Sequence, residues 1–151
     1  MLNIIIGSDH AGFDVKELLI DNYFMSNDKV IYNIIDVGPF NKNRCDYPDI
    51  AHKLCEQLLS YEKKDLKVFG ILICGTGIGM SITANKHKGI RCALCHNEYT
   101  AEMTRLHNNA NVLGLGARVL NEEQILKIVN KFINTEFEGG RHDERVNKIE
   151  L

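Results

Sequence analysis

Short apolar runs alternate with amphipathic stretches along the whole chain, and this alternation limits the possible folds more than any other feature. Five runs are nearly continuous in Ile, Leu and Val, as in strands buried on both faces: residues 2–7, 30–38, 68–74, 90–95 and 111–116. Stretches with helical spacing of apolar residues lie between or after them: 15–24, 50–59, 100–107 and 122–133. This order predicts an α/β fold, with about five mainly parallel strands in a doubly wound sheet and helices on both faces.

Two local signals refine this prediction. Asn121 is the expected N-cap of the last helical stretch, because its side chain can accept hydrogen bonds from the first helical amides. Residues 38–50 form the one extended irregular segment that we expect, with Pro39 and Pro48 as breakers.

The length and composition favour one domain that covers residues 1–151. Apolar residues make up 44% of the chain and the net charge is −2, which gives no electrostatic reason to expect nucleic acid or a membrane as a partner. No stretch is long enough to cross a bilayer, and the first residues lack the basic region of a secretion signal. The five cysteines are an odd number and are expected to be reduced. We therefore expect a cytoplasmic protein.

The segment GILICGTGIGMS (70–81) combines a thiol with a glycine-rich loop. A predicted strand ends in Cys74, and Gly75, Gly77 and Gly79 follow before a helix begins. Met80 breaks both the dinucleotide pattern G-x-G-x-x-G and the thiol-phosphatase pattern C-x5-R, and there is no P-loop lysine. Cys74 could serve as a base or nucleophile opposite amides that stabilise negative charge. The alternative is a tight turn with a buried structural cysteine.

Polar residues also follow the first predicted strand, at the sheet edge where α/β proteins bind ligands. In GSDHAG (7–12), Asp9 could accept hydrogen bonds from sugar hydroxyls and His10 could donate to an anion. The residues alone leave open a second interpretation, in which Asp9 caps a helix and His10 lies on the surface.

Two later segments carry further candidates. Arg141 and Arg145 in GGRHDER are one helical turn apart, so both guanidinium groups could bind one phosphate, although a solvated charged helix is the usual explanation of such a run. His107 and Asn108 could act on a ligand or could simply end a helix, and Arg118 follows the fifth strand.

The motif CALCH (92–96) matches the attachment signature of c-type haem. In the strand predicted there, however, Cys92 and Cys95 point to opposite faces of the sheet. No second C-x-x-C motif supports zinc, so we expect neither haem nor metal. His52, His87 and His96 have no evident partners and are expected on the surface.

Taken together, several motifs resemble those of the ribose-5-phosphate isomerase B family, within the sugar-phosphate isomerases that include galactose-6-phosphate isomerase. They are GSDHAG, DYPD, GILICGTGIGMSITANK, GIRCAL, HNNANVLGLGARV and EFEGGRHDERV, and the resemblance extends from residue 2 to about residue 149. It implies a Rossmann-like three-layer sandwich.

The resemblance also implies a role for each candidate. Cys74 would be the base that moves a proton between C1 and C2 through an enediolate, and Thr76 and His107 would open the sugar ring. The remaining implied roles are an anion hole from the amides of Gly75, Gly77, Ile78 and Gly79, hydroxyl binding by Asp9, Tyr47 and Asn108, and phosphate binding by His10, Arg118, Arg141 and Arg145. No metal or other cofactor is implied.

The implied assembly is a homodimer, alone or within a dimer of dimers, whose active sites are shared between subunits. His107, Asn108 and Arg118 would enter the partner's site, while Cys74, Asp9 and the C-terminal arginines would stay in their own. The expected reaction interconverts ribose 5-phosphate and ribulose 5-phosphate. Two alternatives remain open: isomerisation of a 6-phosphosugar such as allose or galactose 6-phosphate, and a non-catalytic module that binds a sugar phosphate or nucleotide.

Overall fold

The computed structural model describes residues 1–151 and contains one sheet of five parallel strands. The strands are β1 (Leu2–Ser8), β2 (Tyr32–Asp36), β3 (Val68–Cys74), β4 (Cys92–Leu94) and β5 (Val112–Gly116), in the spatial order β2-β1-β3-β5-β4. All four neighbouring pairs are parallel, which confirms the predicted sheet. β2 and β4 are shorter than the apolar runs that predicted them, because each lies at an edge and pairs with one neighbour only.

The helices are α1 (Phe13–Leu18), α2 (Tyr47–Glu62), α3 (Ile78–Ala84), α4 (Glu98–Asn108), α5 (Glu122–Asn134) and α6 (Arg141–Asn147). α1 continues as a wider π-helical segment over Leu19–Phe24. No helix is both long enough and apolar enough to span a membrane.

The starts of α5 and α2 test the two local signals. Asn121 caps α5 as predicted, and its side chain and that of Gln124 each accept a hydrogen bond from the other's backbone amide. The expectation of an irregular segment up to residue 50 was wrong, because α2 begins at Tyr47. Pro48 lies in the first turn of α2, where its missing amide hydrogen costs no helical hydrogen bond.

Alternate residues of the central strands enter two separate cores. Ile4, Ile6 and Ile71 pack with the layer that contains α1, α4 and α5, whereas Ile5 and Leu72 pack with the layer of α2 and α3. This division follows from the two-residue period of a strand and gives the predicted three-layer sandwich. Cys74 belongs to the second core, so the end of β3 faces α2 and α3.

A buried ion pair holds α1 against the end of β2. The Lys16 side chain is fully buried, and its Nζ lies 2.5 Å from Asp36 Oδ2. The rings of Phe13 and Phe40 lie 5.3 and 5.5 Å from this ammonium group. Asp36 Oδ1 accepts a 2.8 Å hydrogen bond from the Gly38 amide, so the same carboxylate anchors the start of the following loop.

Candidate active site

The Cys74 thiol lies at the carboxyl end of β3 and faces the glycine loop, as predicted. Its Sγ accepts a 3.1 Å hydrogen bond from the amide of Gly77. Gly77 has a φ of +79°, and a Cβ at this position would lie 2.6 Å from Leu94 Cδ1. Because a side chain would be strained and would clash there, glycine is what lets the loop turn back onto the sulfur. An amide donor at a sulfur stabilises the negative charge of a thiolate.

The loop amides divide into two sets. The Gly77 amide binds Cys74 Sγ, and the Ile78 amide donates to Thr76 Oγ1 at 3.2 Å. The amides of Gly75, Thr76 and Gly79 donate to no acceptor within the chain. Two of the four amides expected in the anion hole are therefore already engaged, because the loop folds back on its own thiol and hydroxyl groups.

The other four cysteines are poor bases. Burial raises the pKa of Cys55 and of Cys92 to about 12 and that of Cys95 to about 11. Burial also raises the pKa of Cys45. These groups stay protonated at neutral pH. Cys92 packs against the core of α2 and α3 while Cys95 lies in the opposite core, so the prediction that they point to opposite faces is confirmed.

Asp9 and His10 lie beside the end of β3. The Asp9 amide donates to Ile73 O at 3.0 Å, and Asp9 Oδ1 accepts a 3.0 Å hydrogen bond from the Gly12 amide. One carboxylate oxygen is thus engaged locally, but Asp9 is not a helix cap, because Gly12 is the N-cap of α1 and no side chain caps that helix. His10 is half-buried, and its Nδ1 accepts a 3.3 Å hydrogen bond from the Cys45 amide. Since Nδ1 is an acceptor, the neutral ring carries its proton on Nε2, which can donate to an anion.

Tyr47 and Arg118 flank the same loop. A Cβ built on Gly79 would lie 2.7 Å from the Tyr47 ring, so this aromatic side chain lies directly against the loop. A Cβ on Gly75 would lie 3.3 Å from Arg118 Nη1. The Arg118 amide also donates to Gly75 O at 2.9 Å. The structure therefore gathers Tyr47 and Arg118 at the Cys74 end of the sheet.

A second group of candidates lies at the opposite end of the sheet. His107 and Asn108 end α4 just before β5 begins, whereas Cys74 ends the parallel strand β3. His107 and Asn108 share a groove of about 330 Å³ with Arg145. The other lining residues of this groove are His142, Val146 and Ile149.

Within one chain, the candidates group differently from the prediction in two respects. Arg118 lies against Gly75 in the Cys74 group, not with His107. Arg145 lies with His107, and Arg141 begins the same helix as Arg145. The reason is that Arg118 follows β5 at its carboxyl end, whereas α6 packs on α4, whose last turn reaches the amino end of β5.

Sequence reasoning missed two residues beside His107. The rings of His107 and His142 are stacked, with centroids 4.4 Å apart and planes 17° apart. Glu138 Oε2 lies 4.0 Å from His107 Nε2 and 3.7 Å from His142 Nε2. These three side chains bring donor atoms within 4.8 Å of one another. They do not suit a cation, because one ion cannot lie in the planes of two rings that are stacked in parallel. The positively charged Arg141 also lies close, with its Nε 3.5 Å from His142 Nε2.

A third missed contact joins His52 and His87, which the sequence left without partners. Nδ1 of His52 lies 2.7 Å from Nε2 of His87, so one ring donates a hydrogen bond to the other. Only the position of His142 beside Arg141 in the GGRH motif could have signalled any of these contacts.

A parallel α/β sandwich with a thiol, a carboxylate and an imidazole at its strand ends belongs to the class of α/β enzymes. The model of the Ribose/Galactose Isomerase family matches residues 4–149. The chain belongs to this family, and it is an enzyme of the isomerase class.

Similar proteins of known name agree with this membership. A putative sugar phosphate isomerase of Rickettsia conorii is 45% identical over 97% of this chain and 96% of its own length. The crystal structure of a ribose 5-phosphate isomerase from Thermotoga maritima is 45% identical, with a TM-score of 0.88 over 98% of this chain and 97% of that one. The structure of ribose-5-phosphate isomerase B from Mycoplasma genitalium with bound ribulose-5-phosphate is 40% identical, with a TM-score of 0.86 over 98% and 93%. These similarities confirm the resemblance and the fold.

Proposed function

We propose that this protein interconverts ribose 5-phosphate and ribulose 5-phosphate, with Cys74 as the catalytic base. The single observation that carries this proposal is the thiol at the end of β3 facing a glycine loop, with Gly77 N 3.1 Å from Sγ. Aldose–ketose isomerisation requires a base beside donors for a developing oxyanion, and this arrangement supplies both. Relatives named as ribose-5-phosphate isomerases support the choice of sugar.

The proton transfer uses these groups in turn. The Cys74 thiolate removes the proton from C2 of the open-chain aldose, and the electron pair forms the C1–C2 double bond of an enediolate. The free amides of Gly75, Thr76 and Gly79 stabilise the negative oxygen. After O1 takes up a proton and O2 loses one, the thiol returns its proton to C1, and ribulose 5-phosphate results.

The remaining residues bind and prepare the sugar. Ribose 5-phosphate is mainly a furanose, so the C1–O4 bond must break before isomerisation, and we assign this step to Thr76 and His107. Hydroxyl groups bind to Asp9, Tyr47 and Asn108, and the phosphate binds to His10, Arg118, Arg141 and Arg145. Contacts with the phosphate hold the reactive open chain in position.

We infer that the complete site forms between two copies of the chain. His107 and Arg145 lie at the end of the sheet opposite Cys74 of the same chain. In a dimer with a two-fold axis, these residues of one copy can lie beside Cys74 of the other copy. The edge strand β4 pairs only with β5, and the groove beside it contains Ile82, which is 59% exposed. An unpaired edge with exposed apolar neighbours favours contact with another chain. The dimer exists alone or as half of a dimer of dimers.

The direct test is an isomerase assay with ribose 5-phosphate, run beside allose 6-phosphate and galactose 6-phosphate. The expected result is turnover of the pentose phosphate with the highest kcat/KM. Preferential turnover of a hexose phosphate would assign the enzyme to the 6-phosphosugars. Binding of all three without turnover would leave a non-catalytic module.

A further inference from the structure

The His107 imidazole lies in a small cluster that the roles described above do not use. His107 is 39% exposed at its side chain, whereas the stacked His142 is only 5% exposed. Glu138 Oε2 lies near both Nε2 atoms, 4.0 Å from that of His107 and 3.7 Å from that of His142. A half-exposed catalytic histidine thus contacts a buried ring on one face and a carboxylate at its edge.

The backbone builds this cluster from a segment 30 or more positions away along the chain. The Glu138 amide donates to Leu106 O at 3.2 Å, which fastens the segment to the last turn of α4. Gly139 and Gly140 then take φ values of +67° and +56°, and the chain reverses into α6. The His142 amide donates to Gly139 O at 3.1 Å, so the reversal directs the His142 ring onto His107. This turn requires glycine at both positions, because other residues rarely adopt a positive φ.

We propose that Glu138 and His142 are positioning residues that hold the His107 imidazole in one orientation for sugar ring opening. This inference rests on the proposed function. Stacking on the buried His142 ring restricts rotation of His107. The Glu138 carboxylate attracts the protonated imidazole, which is the form able to donate a proton to the ring oxygen. The separations of 3.7 and 4.0 Å are longer than hydrogen bonds, as catalytic contacts often are before substrate binds.

The chemistry of the two sugars separates this role from that of Cys74. When the furanose of ribose 5-phosphate opens, the C1–O4 bond breaks, O4 gains a proton and the C1 hydroxyl loses one. Ribulose 5-phosphate has no furanose form, because its C5 oxygen carries the phosphate. Removal of its C1 proton therefore requires Cys74 but no ring opening. Exchange of that proton with deuterium from solvent measures the base alone.

The experiment compares Glu138→Gln, His142→Asn and His142→Phe with the wild-type enzyme. For Glu138→Gln and His142→Asn we expect kcat with ribose 5-phosphate to fall about tenfold or more, a part of the 10²–10⁴-fold contribution of acid–base catalysis. Deuterium exchange at C1 of ribulose 5-phosphate, followed by NMR, should stay within about threefold of wild type. His142→Phe keeps a flat ring for stacking and should retain more turnover than His142→Asn.

Two variants are matched controls. Glu144→Gln removes an exposed carboxylate of α6, the helix that contains His142, and His96→Asn removes an exposed imidazole elsewhere in the chain. Both should leave kcat and exchange unchanged, and circular dichroism checks the fold of every variant. Equal loss in turnover and exchange would mean a merely structural role and would overturn the inference. So would wild-type kcat in Glu138→Gln and His142→Asn. An inactive wild-type enzyme would instead refute the proposed function.

Discussion

The sulfur of Cys74 and the amide nitrogen of Gly77 lie 3.1 Å apart, and the left-handed backbone of Gly77 makes this contact possible. The relationship ties the proposed base to the loop that is proposed to stabilise the enediolate. It also requires that both groups move as one unit, because the loop cannot shift without losing its hydrogen bond to the thiol.

Replacement of Cys74 tests the base. Cys74→Ala should abolish turnover while sugar-phosphate binding persists, since the variant loses the thiol and keeps the phosphate contacts. Cys74→Ser should also be severely impaired, because a hydroxyl is far less acidic than a thiol. Steady-state kinetics and ligand-dependent thermal shifts provide the two measurements. The control is Cys55→Ala, which removes a fully buried thiol and should lower stability but not kcat. Wild-type kcat in either Cys74 variant would exclude the thiol from the mechanism.

The arginines of α6 test phosphate binding. Arg141→Ala and Arg145→Ala should each raise KM for ribose 5-phosphate by about 10- to 100-fold, as expected from loss of a charge-assisted hydrogen bond. The value of kcat should change less. Lys148→Ala is the matched control, because it removes a positive charge from the end of the same helix, where the lysine contacts Glu144. Unchanged KM in both arginine variants would mean that α6 is only a solvated charged surface.

Hybrid dimers test the shared site. Mixed Cys74→Ala and His107→Ala chains should regain activity, because one site of each hybrid carries both substitutions and the other carries neither. Random reassortment of equal amounts makes half the dimers hybrids, so about a quarter of wild-type activity is expected. Differential tagging must demonstrate subunit exchange. Hybrids without activity would show that His107 serves the site of its own chain.

Lys16 tests the buried ion pair. Lys16→Met leaves the Asp36 carboxylate without its cation and should lower the free energy of unfolding by about 3 kcal/mol, the low end for a broken buried pair, since Asp36 is partly exposed. The double variant Lys16→Met/Asp36→Asn should recover part of this loss. Lys42→Met removes the exposed pair with Asp14 and should cost at most about 1 kcal/mol. Chemical denaturation measures all three, and equal losses in the two single variants would contradict the prediction.

His142 makes stability depend on pH. Burial, and then the positive charges of His107, Arg141 and Arg145, hold the pKa of His142 below its ordinary value, while Glu138 acts in the opposite sense. The unfolded chain therefore binds a proton more readily than the folded one. The folded chain has its full stability above about pH 6.5, the pKa of His142 in the unfolded chain. It loses stability as the pH falls toward the lower pKa of His142 in the folded chain. Between pH 7.5 and 5.5, denaturation should show a larger loss for the wild type than for His142→Asn. Parallel losses would contradict the assignment.

Local sequence patterns determined the layers of the fold and the centre of the candidate site. The apolar run 68–74 coincides with β3, and Asn121 caps α5, because burial on both faces and helix capping are properties of neighbouring residues. Cys74 and its loop are adjacent in sequence, so their proximity needed no tertiary information. Pro48 shows the limit of such reasoning, since the same residue can break a helix or begin one.

Contacts between distant segments were decided by the tertiary structure alone. The stacking of His142 on His107 depends on the reversal at Gly139 and Gly140 and on the packing of α6 against α4. The position of Arg118 beside Gly75 depends in the same way on the pairing of β3 with β5. Residue types can suggest what such groups would bind. The register of the strands and the packing of the layers decide which of these groups meet. Neither can be read directly from a linear pattern of apolar and polar residues.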